Sequence, residues 1–307
     1  MSNMETILVA TALDRRDATT LRHTARLAHV YHPKTIVIAH VEPPLDLPAT
    51  VGPPATPTGD ATIEARLHRL IEEHRGSFPT STQLQFVIRY GARVPELLQL
   101  ATERSADLLV LSRRPRDEHD ALSDAVVKLE WKSPCSVVIV PDETPASYER
   151  ILVACDFSPH SLEAVRAAAD IARATPGSQL TIQHVHSLPG AAIMAGRSSS
   201  ELSAIMREEA QQQWNKLAAS LDLGELRYSL RFDESDSVPR AVTAAASELD
   251  AQLIVVGSHG RSTTAGALLG HVADTVCART TRPFLCVKRK GEVVSLIQSL
   301  LGLYGNG

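Results

Sequence analysis

Short apolar segments rich in β-branched residues alternate along this chain with stretches of helical periodicity. In the first half these segments are Ile7–Ala10, Thr35–Val41, Leu84–Arg89, Leu108–Leu111 and Val137–Val140. Between them, apolar residues recur every three or four positions, as at Leu21, Ala25 and Ala28, which predicts helices that bury one face. Strands that are apolar throughout are typical of sheets buried on both faces. The alternation therefore predicts a doubly wound, parallel α/β sheet of five strands.

The pattern occurs twice. ILVATALD begins at Ile7 and ILVACDFS begins at Ile151, an offset of 144 residues. At the same offset, the pair His40-Val41 aligns with His184-Val185. A repeat of this length is far longer than the unit of a solenoid protein. We therefore interpret the chain as two tandem copies of one domain, residues 1–144 and 145–290, followed by a tail, residues 291–307.

Three segments interrupt the pattern. Glu42–Asp60 contains six prolines in 19 residues and is predicted to be a loop, because proline is excluded from helix interiors and central strands. Its counterpart in the second copy, Ser187–Ser200, is also predicted to be a loop. The polar stretch Pro141–Arg150 is predicted to link the two copies.

The composition of the chain limits the classes of protein to which it is expected to belong. The chain has 307 residues, 44% of them hydrophobic, with a net charge of −4. Nucleic-acid-binding domains are usually basic, so no nucleic-acid partner is expected. The four cysteines lack zinc-binding spacing and are predicted to be buried small residues. Because there is no signal-peptide pattern and no apolar run of roughly 18–20 residues, we expect a cytoplasmic protein without a membrane partner.

A glycine-containing stretch follows the fourth strand of the second copy. It reads VVGSHGRSTTAGALLGH and places Gly257, Gly260 and Gly270 at G-x2-G-x9-G spacing. Ligands of open parallel sheets bind where the strand order reverses, and amides of a glycine loop and of the following helix can bind a phosphate. The spacing is neither a Walker A motif nor GxGxxG. From the glycines alone, a phosphate site and a plain turn both remain open.

Taken together, these features resemble the universal stress protein family over nearly the whole chain, as two tandem copies. The resemblance rests on ILVACD at Ile151, QHVHS at the second strand, LIVVGSHGRS at the fourth and RPFLCV at the fifth. It implies a Rossmann-like five-stranded sheet in each copy and pairing of the copies through their fifth strands, and it leaves a homodimer open. It also implies that ATP or another adenine nucleotide is bound.

The family's nucleotide-binding branch carries a G-x2-G-x9-G-[Ser/Thr] motif, which the three glycines match. The resemblance also assigns Asp156 to the acidic residue after the first strand, close to the nucleoside. It assigns Val185 to the valine whose backbone faces the adenine. The expected nucleotide-binding residues are Asp156, Val185, Gly257, Ser258, His259, Gly260, Gly270 and His271.

His271 departs from the family motif, which has a hydroxyl residue at this position. An imidazole is bulkier than a hydroxyl group, but a neutral ring still has one N–H donor. We therefore expect an altered site rather than a lost one. The alternative is a structural turn with His271 on its rim.

The first copy lacks the same features. In its corresponding loop, the three glycines are replaced by Ser112, Pro115 and Ser123. Proline has no N–H to offer a phosphate. Ala12 stands where the second copy has Asp156. Arginines follow Ser112, and they either are solvated or attract an anion. We expect at most one nucleotide site, in the second copy.

Other chemistry is less well supported by the sequence. The histidines near one strand edge have no acidic ligand fixed beside them, so no metal site is expected; they are His184, His186, His259 and His271. A GxSxG nucleophile motif is missing, so we do not expect an enzyme, although slow ATP hydrolysis is left open. The apolar positions of the tail crowd one side of a short predicted helix, which favours packing against protein.

The sequence therefore predicts a stress-response protein that binds an adenine nucleotide in its second copy and acts on an unknown protein partner by binding or signalling. The alternative is a protein-interaction or chaperone-like module that works without a nucleotide.

Overall fold

The computed structural model describes residues 4–43, 62–113, 132–188, 198–259 and 270–289. The chain divides between Ala146 and Ser147 into an N-terminal and a C-terminal unit. Most of the predicted proline-rich loop and the whole predicted tail lie outside the described residues.

The N-terminal unit is a parallel α/β domain. Its helices and strands are β1 (Thr6–Thr11), α1 (Arg16–Tyr31), β2 (Thr35–Glu42), α2 (Ile63–His74), β3 (Gln83–Tyr90), α3 (Arg93–Glu103), β4 (Leu108–Arg113) and β5 (Ser136–Pro141). The strand order is β3-β2-β1-β4-β5, and every neighbouring pair is parallel. The central strand β1 is fully buried at Ile7, Leu8 and Val9, as expected of a sheet covered on both faces.

The C-terminal unit repeats this architecture. It consists of β6 (Arg150–Ala154), α4 (Pro159–Arg173), β7 (Gln179–His186), α5 (Ser199–Ala218), β8 (Tyr228–Glu234), α6 (Val238–Glu248), β9 (Leu253–Gly257), α7 (His271–Arg279) and β10 (Phe284–Val287). The order β8-β7-β6-β9-β10 is again all parallel. The predicted doubly wound fold is confirmed in both copies. The strand order reverses between β6 and β9, which makes that edge the expected ligand site.

The repeat extends into the loops. Asp107 Oδ2 accepts hydrogen bonds from the backbone N–H groups at the start of β1, and Gln252 Oε1 does the same at the start of β6. The turn after the first strand of each copy has a non-glycine residue in the left-handed region, Leu13 (φ 54°) and Phe157 (φ 63°). The two copies therefore share backbone details that the sequence offset alone did not reveal.

One boundary differs from the sequence prediction. The predicted loop Ser187–Ser200 overlaps α5, which begins at Ser199. Ser198 caps this helix, because its hydroxyl accepts a hydrogen bond from the Glu201 N–H at 3.2 Å. Pairing of the copies through Ser136–Val140 and Pro283–Val287 stays a prediction. Of the helices that the structure describes, none combines the length and the apolar character needed to cross a membrane.

Candidate functional site

A cavity of about 650 Å³ lies at the carboxyl ends of β7, β6 and β9 in the C-terminal unit. Its volume is within the range of small-molecule sites. The first turns of α4, α6 and α7 contribute Ser161, Val238, Pro239 and His271 to its lining. Helix N-termini carry a partial positive charge and unpaired amides. The cavity is therefore suited to a ligand with an anionic part.

Six of the eight residues predicted from the sequence line this cavity: Asp156, Val185, Gly257, His259, Gly270 and His271. Gly260 lies outside the described residues. Ser258 is buried and is not part of the lining; its N–H donates to the Val287 carbonyl at 2.9 Å. Ser258 thus connects the end of β9 to β10 by a backbone hydrogen bond and does not contact the cavity.

Gly257 allows a close approach between β9 and the start of α4. A Cβ atom at this position would lie 2.7 Å from the carbonyl carbon and oxygen of His160 and 2.9 Å from the Ser161 nitrogen. Contacts this short do not occur in folded proteins without a backbone shift. Glycine at this position therefore holds the N-terminus of α4 against the end of β9, beside the cavity.

Gly270 and His271 form the start of α7. Gly270 is the N-cap residue, and its N–H donates to the Ser258 carbonyl at 2.6 Å. A glycine has no side chain that could accept hydrogen bonds from the first-turn amides, which a serine or aspartate would do. His271 is the first helical residue; it is exposed and lines the cavity. Its ring is therefore placed where it can reach a ligand at this helix start.

His259 lies above the start of α4. A hydrogen bond of 3.0 Å joins its Nδ1 to the Ser258 hydroxyl, and its ring centroid is 4.9 Å from that of His160. These contacts hold the last described residue of the glycine loop over the cavity.

Asp156 follows β6 directly, at the point where the strand order reverses. Its Oδ1 accepts a hydrogen bond from the Ser158 N–H at 3.0 Å, and the residue is only partly buried. The next residue, Phe157, has the left-handed backbone described above and stacks on His184, with ring centroids 4.5 Å apart. Left-handed backbone costs an L-residue on the order of 1 kcal/mol, and such strain tends to occur at functional sites.

His184 has a structural role that is repeated in both copies. Its Nδ1–H donates to the Cys155 carbonyl at 2.8 Å, and the Nδ1–H of His40 donates to the Thr11 carbonyl at 3.2 Å in the same position of the first copy. This bond joins the second strand to the end of the first. In the part of the chain that the structure describes, no three His, Cys, Asp or Glu side chains form a cluster suited to a metal ion.

The cavity also contains residues that sequence reasoning did not place in the nucleotide site. Examples are Gln183 and His186 of β7, Met206 of α5 and the loop residues Asp236 and Ser237. A comparison of the two copies could have indicated Gln183 and His186, because the residue type at each of these positions differs between the copies. At the offset of 144, Gln183 stands against Ala39 and His186 against Glu42.

The corresponding turn of the first copy contains an internal carboxylate. Asp17, which aligns with Ser161, is buried, and its two oxygens accept hydrogen bonds from the N–H groups of Ala12 and Asp14, each at 3.1 Å. Burial raises the pKa of Asp17. Asp14 in turn pairs with the buried Arg16, whose Nε lies 3.0 Å from Oδ1. The Ala12 and Asp14 amides of this turn therefore already have an acceptor. The lack of a nucleotide site in the first copy stays a prediction, and Pro115 and Ser123 lie outside the described residues.

The fold and the site define a duplicated, doubly wound α/β protein with a ligand-sized cavity at the switch point of its second copy. The model of the universal stress protein family matches residues 3–141 and residues 147–288. The chain therefore belongs to the universal stress protein family, as two tandem copies, which confirms the resemblance.

Individual relatives agree with this assignment. A universal stress protein of Methanocaldococcus jannaschii is 29% identical over 143 residues, which is 46% of this chain and 83% of that protein. A Pseudomonas aeruginosa protein of unknown function has a similar structure, with a TM-score of 0.70 at 17% identity and 98% of both chains covered. A universal stress protein from Archaeoglobus fulgidus gives a TM-score of 0.60 at 16% identity, covering 94% of this chain and 98% of that one. Similarity at these identities shows the fold.

Proposed function

We propose that the C-terminal copy binds an adenine nucleotide, with ATP as the first candidate. In this proposal the protein acts in the cytoplasm on a protein partner, by binding and signalling rather than by catalysis. The observation that carries the proposal is the cavity at the ends of β7, β6 and β9, which gathers six residues predicted from the sequence.

The order of the strands supports a nucleotide because it places different chemistry along one edge. Val185 is the last residue but one of β7, Asp156 follows β6, and Gly257 ends β9, with β6 between the other two strands. Two inter-strand spacings separate β7 from β9, which is about 10 Å. In the proposed pose the base lies at β7, the ribose hydroxyls donate to the Asp156 carboxylate, and the phosphates lie at the start of α7.

Among the residues that the structure describes, the phosphate end of the cavity is lined by the start of α7 and by no lysine or arginine. The residues at the start of α7 line the cavity, and the N-cap glycine has no side chain that could accept hydrogen bonds from the amides of the first turn. Anions bind at such helix N-termini through amide hydrogen bonds and the helix dipole. An acidic side chain introduced at this point should therefore compete with the ligand.

The test is isothermal titration of the full chain with ATP. We expect saturation near one ATP per chain and at least a tenfold weaker Kd in His271→Glu, because the carboxylate repels the phosphates at the same helix start. Ala278→Glu places the same charge on an exposed position in the last turns of α7, away from the cavity, and should change the Kd less than threefold.

Two outcomes contradict the proposal. If neither ATP nor ADP binds to the wild-type protein, the nucleotide-independent interaction module becomes the better hypothesis. If the protein releases inorganic phosphate from ATP at a rate that His271→Glu abolishes, the part of the proposal that excludes catalysis is wrong.

A further inference from the structure

Gln183 presents a buried hydrogen-bond acceptor at the cavity. It lies on β7, lines the cavity and is only 1% exposed. Its Nε2 donates to the Asp233 carboxylate at 2.6 Å and to the Ala241 carbonyl at 3.2 Å. Its Oε1 is buried and has no hydrogen-bond partner among the described residues.

The orientation of this amide is fixed. Both partners of Nε2 are acceptors, so the amide cannot rotate to exchange its oxygen and nitrogen without placing two acceptors against each other. Asp233 is itself held by Arg231, whose Nε donates to it at 2.7 Å and whose guanidinium also pairs with Glu248 at 2.7 Å. The direction in which the Gln183 amide points is therefore set by a charged hydrogen-bond network.

A buried acceptor without a donor is unfavourable, and nearly all such groups in folded proteins have a partner. A second observation points to the same cavity. His186, three residues further along β7, is 6% exposed and lines the cavity, and neither of its ring nitrogens has a partner among the described residues. Gln183 and His186 thus both line the cavity from β7, and each has a buried polar atom to which a ligand could hydrogen-bond.

We propose that Gln183 reads the base of the bound nucleotide, with Oε1 accepting a hydrogen bond from the exocyclic amino group of adenine. This inference rests on the proposed function. Gln183 contacts α6 close to Val238 and Pro239, the apolar part of the lining, and it lies two strands away from the glycines of β9 and α7. That end of the cavity suits a base rather than a phosphate.

The same geometry predicts selectivity. A purine with a carbonyl at the position of the amino group would set its oxygen against Oε1, and a purine with hydrogen there would leave Oε1 without a donor. Sites built around a hydrogen bond reject ligands that lack the donor by large factors, because the buried group is then unpaired. The first copy has Ala39 at this position, so the acceptor is specific to the second copy.

The test compares ATP with purine riboside triphosphate, which differs only by lacking the amino group, in titrations of the full chain. We expect the wild-type protein to bind ATP at least tenfold more tightly. In Gln183→Met, which keeps the side-chain length but removes the acceptor, the ratio should fall below threefold, mainly through weaker ATP binding. Thr181→Val, on the same face of β7 but outside the cavity lining, should retain the wild-type ratio.

The outcomes separate the two proposals. Equal binding of both ligands by the wild-type protein, or an unchanged ratio in Gln183→Met, overturns the assignment of Gln183 while nucleotide binding stands. Failure of the wild-type protein to bind either ligand overturns both. Circular dichroism checks folding, and if Gln183→Met unfolds, Gln183→Ala takes its place, since alanine occupies this strand position in the first copy.

Discussion

Gly257 and Ser112 occupy the same position in the two copies, yet only one of them has room for a side chain. In the second copy, the backbone of His160 lies so close to β9 that a Cβ atom would overlap it, at 2.7 Å. In the first copy, Ser112 carries a Cβ atom at the end of β4. At the scale of a single residue, the site thus depends on the lack of a Cβ atom at Gly257, because this allows the start of α4 to lie beside the cavity.

Gly257→Ala should therefore reduce both stability and binding. Overlap with fixed backbone typically costs about 1–3 kcal/mol, and the shift that relieves it moves α4 away from the ligand. Urea denaturation and ATP titration measure the two effects. Gly76→Ala is the matched control, because its added Cβ meets nothing within 4 Å, and it should leave stability unchanged or slightly higher. Wild-type stability in Gly257→Ala would contradict the close packing.

His23 should make the N-terminal unit sensitive to acid. The residue is fully buried in α1, its Nε2–H donates to the Thr144 carbonyl at 3.2 Å, and burial lowers its pKa to about 4. The unfolded chain takes up this proton near pH 6.5, whereas the folded chain does so only near pH 4. The contribution is therefore present above pH 6.5 and lost as the pH falls towards 4, by up to about 3 kcal/mol.

Chemical denaturation between pH 7 and pH 4.5 measures this effect against His23→Gln, which cannot titrate in that range. The wild-type protein should lose more stability than the variant over the interval. Parallel curves for the two proteins would show that His23 is not responsible.

The sequence predicts some of these residues and not others, for physical reasons. Asp156, Gly257 and Gly270 are recognisable because they match positions of the family's nucleotide-binding motif, whereas the glycines alone would also fit a plain turn. Gln183 is not, because a single polar residue in an apolar strand says nothing about which way its amide points. That direction is set by Asp233, which is 50 residues away in sequence and becomes a neighbour only through the pairing of β7 with β8.

At the scale of whole elements, three helix starts meet one cavity, but they are capped differently. α4 is capped by Ser158, whose hydroxyl accepts from the Ser161 N–H at 3.2 Å, whereas α7 begins after a glycine. Strand and helix order follow from hydrophobic periodicity. The start of α5 did not, because a run of serines is typical of loops as well as of helix caps.

His271→Ser should bind ATP as tightly as the wild-type protein or more tightly. A serine hydroxyl is small and adds a donor beside the first amides of α7, where a hydrogen bond to a charged phosphate contributes roughly 1.5–3 kcal/mol. Titration of both proteins with ATP measures the difference. A tenfold loss in His271→Ser would instead identify the imidazole as a phosphate ligand in its own right.

At the scale of the whole molecule, the same fold occurs twice, but the turn after the first strand has different side chains in the two copies. The first copy keeps the strand order and the turn after its first strand, and fills that turn with the Asp17 carboxylate. The second copy has Ser161 there and a cavity beside it. The duplication was evident from the sequence, but the internal acceptor was not, because Asp17 reads as an ordinary acidic residue in a first helical turn.

ATP should therefore saturate one site per chain, and Ser112→Ala should leave both the stoichiometry and the Kd unchanged within twofold. The carboxylate of Asp17 repels phosphates and already occupies the amides of its turn. Titration calorimetry gives the stoichiometry directly. Two equivalent sites per chain would show that the first copy is not silent.

The buried Asp17 carboxylate has a further consequence for how strongly each half of the chain resists proteolysis in a cell. A ligand that binds only the folded state stabilises it by RT ln(1 + [L]/Kd), about 2.7 kcal/mol at one hundred times the Kd. If the second copy alone binds the nucleotide, as proposed, the first half gains no stability from a rise in nucleotide concentration, whereas the second half becomes harder for a protease to open. In one polypeptide, the N-terminal half would then resist proteolysis equally at every nucleotide concentration, whereas the resistance of the C-terminal half would increase with the ATP concentration. Limited proteolysis with and without ATP should show protection confined to fragments that begin near Ser147.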